Sequence, residues 1–199
     1  MIGYQLSVVA ARQPHATALT FGARRYTYAQ LNERACRLAN GLRALRIGRG
    51  DRVATLVHNC NQFVEALFAS AKIGAVFVPI NFRLVAREVG DLLEACGPKV
   101  LLAGNGFSEM LSQLATRPAF PQHRLAIDDR APMDPRPNPK DKFEAWLSAQ
   151  PADEPDEIVL PGNVQMLLHS SGTTGLPKGI IYTHISTLAS SRRRSSTSI

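Results

Sequence analysis

The residues best suited to chemistry lie together late in the chain. Ser170-Ser171-Gly172-Thr173-Thr174-Gly175-Leu176-Pro177-Lys178-Gly179 holds four hydroxyls, three glycines and one lysine in ten positions. Glycine lets the backbone approach a ligand closely and takes up positive φ at little cost. The N–H groups and hydroxyls of such a loop form a cradle for an anion, and Lys178 adds a point charge suited to phosphate. The segment reads as a loop that wraps a polyphosphate. A Walker A loop, G-x-x-x-x-G-K-[ST], does not fit. Counted from Gly172, its second glycine would fall on Pro177, and Lys178 is followed by Gly179 rather than Ser or Thr. A serine nucleophile at Ser170 or Ser171 is disfavoured too, because no G-x-S-x-G elbow surrounds them and no base is pinned nearby. A plain Gly/Ser/Thr surface turn would suffice for Ser171 to Gly175, but not for the appended Leu-Pro-Lys-Gly.

A loop of this kind needs a scaffold, and the upstream sequence supplies one. Thr27-Tyr28-Ala29-Gln30 fits a capping box. Leu31, Ala35, Leu38, Leu42 and Leu45 then recur at helical spacing, with Arg34, Arg37 and Arg46 off the stripe and Gly48 as the stop. Short apolar runs predict buried strands at Arg52–Val57, Val76–Pro79 and Val100–Ala103. Helices are expected over Phe63–Ile73, along the stripe Val85, Val89, Leu92, Leu93 and Cys96, and over Phe107–Leu114, with an edge strand at Leu125–Ile127. Gly74 and Gly97 end the first two of these helices. Strands alternating with helices of about ten residues predict βαβ units and a mostly parallel sheet, an α/β fold. Asp128 to Lys142 holds four prolines and reads as an extended surface loop. A short helix at Phe143–Gln150 follows, then an acidic loop, then a strand at Val164–His169 that leads into the phosphate loop. Ile180–Tyr182 is a further apolar run. Residues 186–199 are rich in Ser, Thr and Arg and read as a low-complexity tail, either disordered or the scar of a truncation.

Composition narrows the class. The chain has 199 residues, 45% hydrophobic and 20% charged, which suits a globular domain rather than a disordered chain or a disulfide scaffold. No run of about 18 apolar residues predicts a membrane span, and the start has no basic n-region of a signal peptide. Cys36, Cys60 and Cys96 are odd in number and widely spaced, which points to a reduced, cytoplasmic setting. The net charge of +7 resides in residues 1–50, with eight Lys/Arg against one Glu. Those arginines are spread along a helix without interleaved aromatics. They read as a solvated helix face, not as a nucleic-acid site.

The segment His169 to Gly179 resembles the phosphate loop of the AMP-forming adenylating enzymes, which include acyl-CoA synthetases, firefly-type luciferases and peptide-synthetase adenylation domains. Tyr26-Thr27-Tyr28-Ala29-Gln30-Leu31 is similar to the first core motif of that family. Lys72-Ile73-Gly74-Ala75-Val76-Phe77-Val78-Pro79-Ile80-Asn81 is similar to the second. Asn81, followed by Phe82-Arg83-Leu84, looks more like the acyl-CoA synthetase branch. Ser170 stands where the family most often has Thr, which keeps the hydroxyl.

The resemblance implies an ATP-dependent carboxylic acid:CoA ligase that forms an acyl-adenylate and then an acyl-CoA, from a fatty or other acyl acid. Ser170, Ser171, Gly172, Thr173, Thr174, Gly175 and Lys178 would hold the phosphates, Pro177 and Gly179 would shape the loop, and Mg2+ would accompany ATP. Residues 1–185 would be part of the large N-terminal AMP-binding domain of an acyl-CoA synthetase-like fold, an incomplete one. The family's later motifs, among them the ribose-binding aspartate and the C-terminal lysine, have no match in this sequence. His184 matches a position where the family often has His, and is as well explained as a structural residue. No catalytic residue, protein metal ligand, nucleic-acid partner or oligomeric state is assigned. Other readings stay open: a non-catalytic ATP-binding remnant, a non-functional truncated fragment, or an interaction module built on the tail at Arg192–Ser195 and Thr197–Ile199.

Overall fold

In the computed structural model, the described residues are 1–133, 138, 140–170 and 178–195. They form an α/β fold on a six-stranded sheet, with a small hairpin and helices around it. Helix α1 (Ile2–Arg12) leads into hairpin strands β1 (Thr17–Phe21) and β2 (Arg24–Thr27). Gly22 turns this hairpin at φ 57°. Helix α2 (Tyr28–Ala44) begins at the expected capping box: Thr27 Oγ1 accepts the Gln30 N–H at 3.2 Å and Gln30 Oε1 accepts the Thr27 N–H at 2.9 Å.

The end of α2 differs from expectation. Arg46, not Gly48, makes the stop, at φ 60°. The Ile47 N–H reaches Leu42 O at 3.0 Å and the Arg46 N–H reaches Arg43 O at 2.8 Å, the two bonds of a Schellman motif. Ile47 is then buried, and that apolar contact holds a non-glycine residue in the left-handed region.

The sheet is built from β3 (Arg52–Leu56), β4 (Val76–Pro79), β5 (Val100–Gly104), β6 (His123–Ile127), β7 (Val164–Ser170) and β8 (Lys178–Thr183), in the order β6-β5-β3-β4-β7-β8. All neighbours are parallel except β7 and β8. The crossovers are α3 (Asn61–Lys72), α4 (Ala86–Cys96) and α5 (Ser108–Leu114). Gly74 and Gly97 are left-handed after α3 and α4, as expected of helix stops. Helix α6 (Lys142–Ser148) packs on α2.

Two apolar layers sandwich the sheet. One joins Leu38, Leu42, Ala66 and Ala69 to Val53, Phe77, Val100 and Leu102; the other joins Val89, Leu92, Leu93 and Leu111 to Ala54, Leu56, Val78 and Leu101. The central strands β3, β4 and β5 are buried on both faces and so read as unbroken apolar runs rather than alternating ones.

Two expectations are corrected. Two arginines of α2, Arg34 and Arg37, are not part of a solvated face, whereas Arg43 and Arg46 are exposed. Arg34 lies between α2, α3 and α6, and its fork meets Glu65 (Nε to Oε1, 2.6 Å) and Glu144 (Nη1 to Oε2, 2.7 Å). Burial opposes its charge, but these two carboxylates outweigh burial and raise its pKa. Arg37 donates to the carbonyls of Ser148 and Gln150. The second correction concerns the stretch read as a tail, which is helical as α7 (His184–Ser195). Thr183 and Ser186 cap it reciprocally, with the Ser186 N–H on Thr183 Oγ1 at 3.2 Å and the Thr183 N–H on Ser186 Oγ at 2.9 Å. Residues 196–199 lie outside the described set.

Candidate functional site

Helix α3, which follows β3, lies on one face of the sheet, and α4, which follows β4, lies on the other. Where neighbouring strands send their crossovers to opposite faces, a crevice opens at their carboxyl ends, the usual ligand position in such sheets. A cavity of about 530 Å³ lies there. Its walls come from Val57 and Asn59 after β3, Phe63 of α3, Ile80 to Phe82 after β4, Leu92 of α4, and Leu168 and His169 of β7. It is mostly apolar, with Asn59, Asn81 and His169 as its polar groups. Asn81 is shaped by its own turn, its Oδ1 accepting the Arg83 N–H at 3.0 Å. Burial lowers the pKa of His169, and its Nδ1 has no hydrogen-bond partner among the described residues.

Strand β7, which leads into the segment expected to hold phosphate, ends beside this cavity. β4 and β7 are parallel, paired at Phe77 and Met166, so both strands end at the same edge of the sheet. β7 and β8 are antiparallel, with His169 opposite Gly179 and Ser170 opposite Lys178. The segment is thus flanked by an antiparallel strand pair, and the strand that begins at Lys178 agrees with the extended exit that separates it from a Walker loop. Of the nine residues expected to bind phosphate, the backbone of Ser170 and the residues Lys178 and Gly179 are described, at the base of the hairpin. Ser171, Gly172, Thr173, Thr174, Gly175 and Pro177 lie outside the described residues. Lys178 is exposed. A Cβ on Gly179 would come within 3.1 Å of Leu167 Cδ1, so the stem fits glycine closely.

His184 is far from this edge. The six residues of β8 carry the chain roughly 20 Å away from the hairpin turn. His184 is fully buried there at the start of α7, with neither ring nitrogen partnered among the described residues. Burial, helped by the charge of the chain's amino terminus, lowers its pKa to about 4, so it is neutral at pH 7. Its position supports the structural reading.

Sequence reasoning missed a second feature of the same edge. Asp129, after β6, is buried, and its Oδ2 accepts the His58 N–H at 2.7 Å and lies 2.8 Å from His58 Nδ1. Gly104, at the end of β5, makes room for it, since a Cβ there would sit 2.2 Å from Asp129 Oδ2. The His58 ring packs between Phe82 and Phe107, with centroids at 4.8 and 5.1 Å. One carboxylate thus ties together the ends of β3, β5 and β6, and His58 braces Phe82, a wall of the crevice.

No cluster of three or more His, Cys, Asp or Glu that could hold a metal occurs among the described residues. The three cysteines are free and buried, and burial raises their pKa values to about 12 at Cys36 and Cys60 and about 11 at Cys96. They are inert packing thiols.

The fold is a parallel-sheet α/β fold with a crevice at the carboxyl ends of its strands, and comparison with known proteins gives the family. The model of the AMP-binding enzyme family matches residues 6–197, and the chain belongs to that family. It is 39% identical over 175 residues to a feruloyl-CoA synthase of Amycolatopsis, covering 88% of this chain and 32% of that protein. A solved fatty acyl CoA synthetase of Mycobacterium tuberculosis superposes with a TM-score of 0.82 at 30% identity, covering 98% of this chain and 37% of that one. An anthranilate CoA ligase solved in complex with anthranoyl-AMP gives a TM-score of 0.80 at 25% identity, covering 92% and 33%. The chain spans about a third of the length of the curated relative.

Proposed function

We propose that this chain supplies the phosphate-binding hairpin, and the crevice beside it, of an ATP-dependent acid:thiol ligase. The observation that supports this reading is the place of β7. The strand that leads into the segment of hydroxyls, glycines and a lysine ends at the carboxyl edge of the parallel strands, next to a cavity of about 530 Å³.

In the reaction proposed, a carboxylate oxygen attacks the α-phosphorus of ATP and pyrophosphate leaves, giving an acyl-adenylate. A thiol, that of coenzyme A, then displaces AMP. The first step is limited by charge on the phosphates and by alignment, so a preorganised cradle contributes more than covalent help. The hydroxyls of Ser170, Ser171, Thr173 and Thr174, the N–H groups of the turn and the Lys178 ammonium would hold the β- and γ-phosphates. Mg2+ would arrive on those phosphates, as suits a cation that usually keeps waters and few protein ligands. The acid is a fatty or aromatic one, a class taken from the relatives' names. The buried free thiols fit a reducing, cytoplasmic setting, and no helix among the described residues is long and apolar enough to cross a membrane.

Calorimetry with MgATP tests the reading. The 199-residue chain should bind, and Lys178→Ala should weaken binding about 10- to 100-fold, the loss of one charge-assisted contact. Equal affinities would leave the segment a surface turn. Because the relatives are about three times as long, binding is expected without acid-dependent exchange of pyrophosphate into ATP. Exchange at the rate of a full-length synthetase would overturn that part.

A further inference from the structure

His169 forms part of the crevice wall at the end of β7, and its Nδ1 is shielded from water with no hydrogen-bond partner among the described residues. Buried polar atoms in folded proteins are nearly always bonded, so an orphan in a cavity wall calls for a ligand atom. Burial lowers the pKa of the ring, which is therefore neutral at pH 7 and offers one lone pair and one N–H rather than a charge. A hydroxyl both donates and accepts, so it satisfies Nδ1 in either tautomer.

The rest of the crevice sets what can carry that hydroxyl. Among the described residues, no Asp, Glu, Lys or Arg lines it. A carboxylate or phosphate pushed inside would lose water without gaining a counter-charge, so a ligand enters by an uncharged end. The other polar wall groups, Asn59 and Asn81, are exposed, which puts them at the rim.

Two walls are aromatic, and each ring is held by neighbours. Phe63 meets Phe77 edge-on, with centroids 5.1 Å apart and planes at 80°. Phe82 packs on the His58 ring at 4.8 Å and under the Arg83 guanidinium at 5.7 Å. Fixed ring walls favour a flat, rigid guest, which gains ring contact and has little torsional freedom to lose. A saturated chain gains neither and leaves His169 unpartnered.

We propose that the crevice admits the hydroxyl-bearing ring of a planar aryl carboxylic acid, with His169 Nδ1 bonded to the ring hydroxyl and the carboxylate left at the mouth. The assignment rests on the ligase reading and narrows its acid to a hydroxyaryl one. His169 is then the residue that tells a phenol from an unsubstituted ring.

Calorimetric titrations of the 199-residue chain, without ATP, compare 4-hydroxycinnamate, cinnamate and octanoate. 4-Hydroxycinnamate should bind about 5- to 10-fold more tightly than cinnamate, the effect of one hydrogen bond to a group otherwise unpaired, and octanoate should bind more weakly than either. By NMR of the unaltered chain, the ring nitrogen resonances of His169 should move with 4-hydroxycinnamate and stay nearly still with octanoate. His169→Phe, checked for folding by circular dichroism, should bring the two aryl affinities together; His169→Asn, whose amide can still bond, should keep part of the difference. Phe82→Leu should weaken both aryl acids more than octanoate. Equal affinities for the two aryl acids in the unaltered chain overturn the proposal. So do tighter binding of octanoate, no binding of either aryl acid, or a hydroxyl preference that survives His169→Phe. Because no ATP is present, the result is separate from that of the MgATP test. A chain that binds MgATP without discriminating among the acids defeats this proposal alone, and one that discriminates among them without binding MgATP defeats the phosphate reading alone.

Discussion

Replacing Arg34 by methionine tests how the scaffold of the crevice is held. The guanidinium makes four charge-assisted hydrogen bonds: to Glu65 at 2.6 and 3.1 Å and to Glu144 at 2.7 and 2.8 Å. Glu65 has a side chain with no exposure, and its carboxylate also accepts from Asn61 Nδ2 at 2.7 Å. Methionine fills similar space and removes the charge, which leaves the Glu65 carboxylate buried and uncompensated. Breaking a buried pair from one side costs about 3–5 kcal/mol. For a chain of this size, each kcal/mol lowers Tm by roughly 2–4 °C, so the melt should fall by about 6–20 °C. Adding Glu65→Gln to Arg34→Met should restore about half of the lost stability or more, because the amide keeps its contact with Asn61 without a charge. Urea melts of the four proteins of this cycle at pH 7 give the coupling. A deficit under about 1 kcal/mol at pH 7 would refute the reasoning, as would a Glu65→Gln change that adds its own loss to that of Arg34→Met.

Three further outcomes are expected. Gly104→Ala puts a Cβ 2.2 Å from Asp129 Oδ2 and should expel that carboxylate from His58, at a cost on the order of 3 kcal/mol; an unchanged melt and unchanged His58 ring resonances by NMR would contradict this. Arg46→Gly relieves a left-handed arginine at φ 60° and should stabilise the chain by about 1 kcal/mol, read as a rise in Tm. His184 has a folded pKa of about 4, below its unfolded value of about 6.5. Between those values the unfolded chain binds more protons, so stability present above pH 6.5 is lost as pH falls toward 4. His184→Leu should remove that part of the acid slope while costing little at pH 7, since neither ring nitrogen has a partner to lose; identical slopes in the two proteins would sink the assignment.

What the sequence revealed was local, and what it hid was non-local. Apolar runs and helix stops lie within a few residues of one another, so β3, α3, β4, α4 and β5 were legible, as was the capping box of α2. The fate of Arg34 was not, because its partners are 31 and 110 residues away on α3 and α6. Without them an arginine off the apolar stripe looks solvated. Asp129 and His58 are 71 residues apart, and their only sequence trace is a glycine at the end of β5. Helix α7 was missed because its Ser- and Arg-rich composition argues against a packed helix, while its start depends on one reciprocal cap. Of the site, the hairpin stem and its strand exit could be anticipated. The crevice could not, because it exists only once β4 and β7 lie side by side.

The three family-like segments turn out to differ in kind. Thr27 and Gln30 of the first are spent on capping α2. In the second, Lys72 is buried against Glu154 and Ser7, pinning α3 to the 150s loop and to α1; Gly74 reverses the chain after α3, Val76 to Pro79 is β4, and Asn81 closes a turn at the crevice mouth. These residues act through position. Their substitution should act first on stability, and on ligand binding only as far as β4 and its loop shift. The third segment is flanked by backbone pairing between Ser170 and Lys178. Changes at Lys178 should therefore be read in nucleotide affinity, whereas changes at Lys72 should be read first in the melt. That opposition, measured on one pair of lysines, separates a segment that binds from a segment that holds the binder in place.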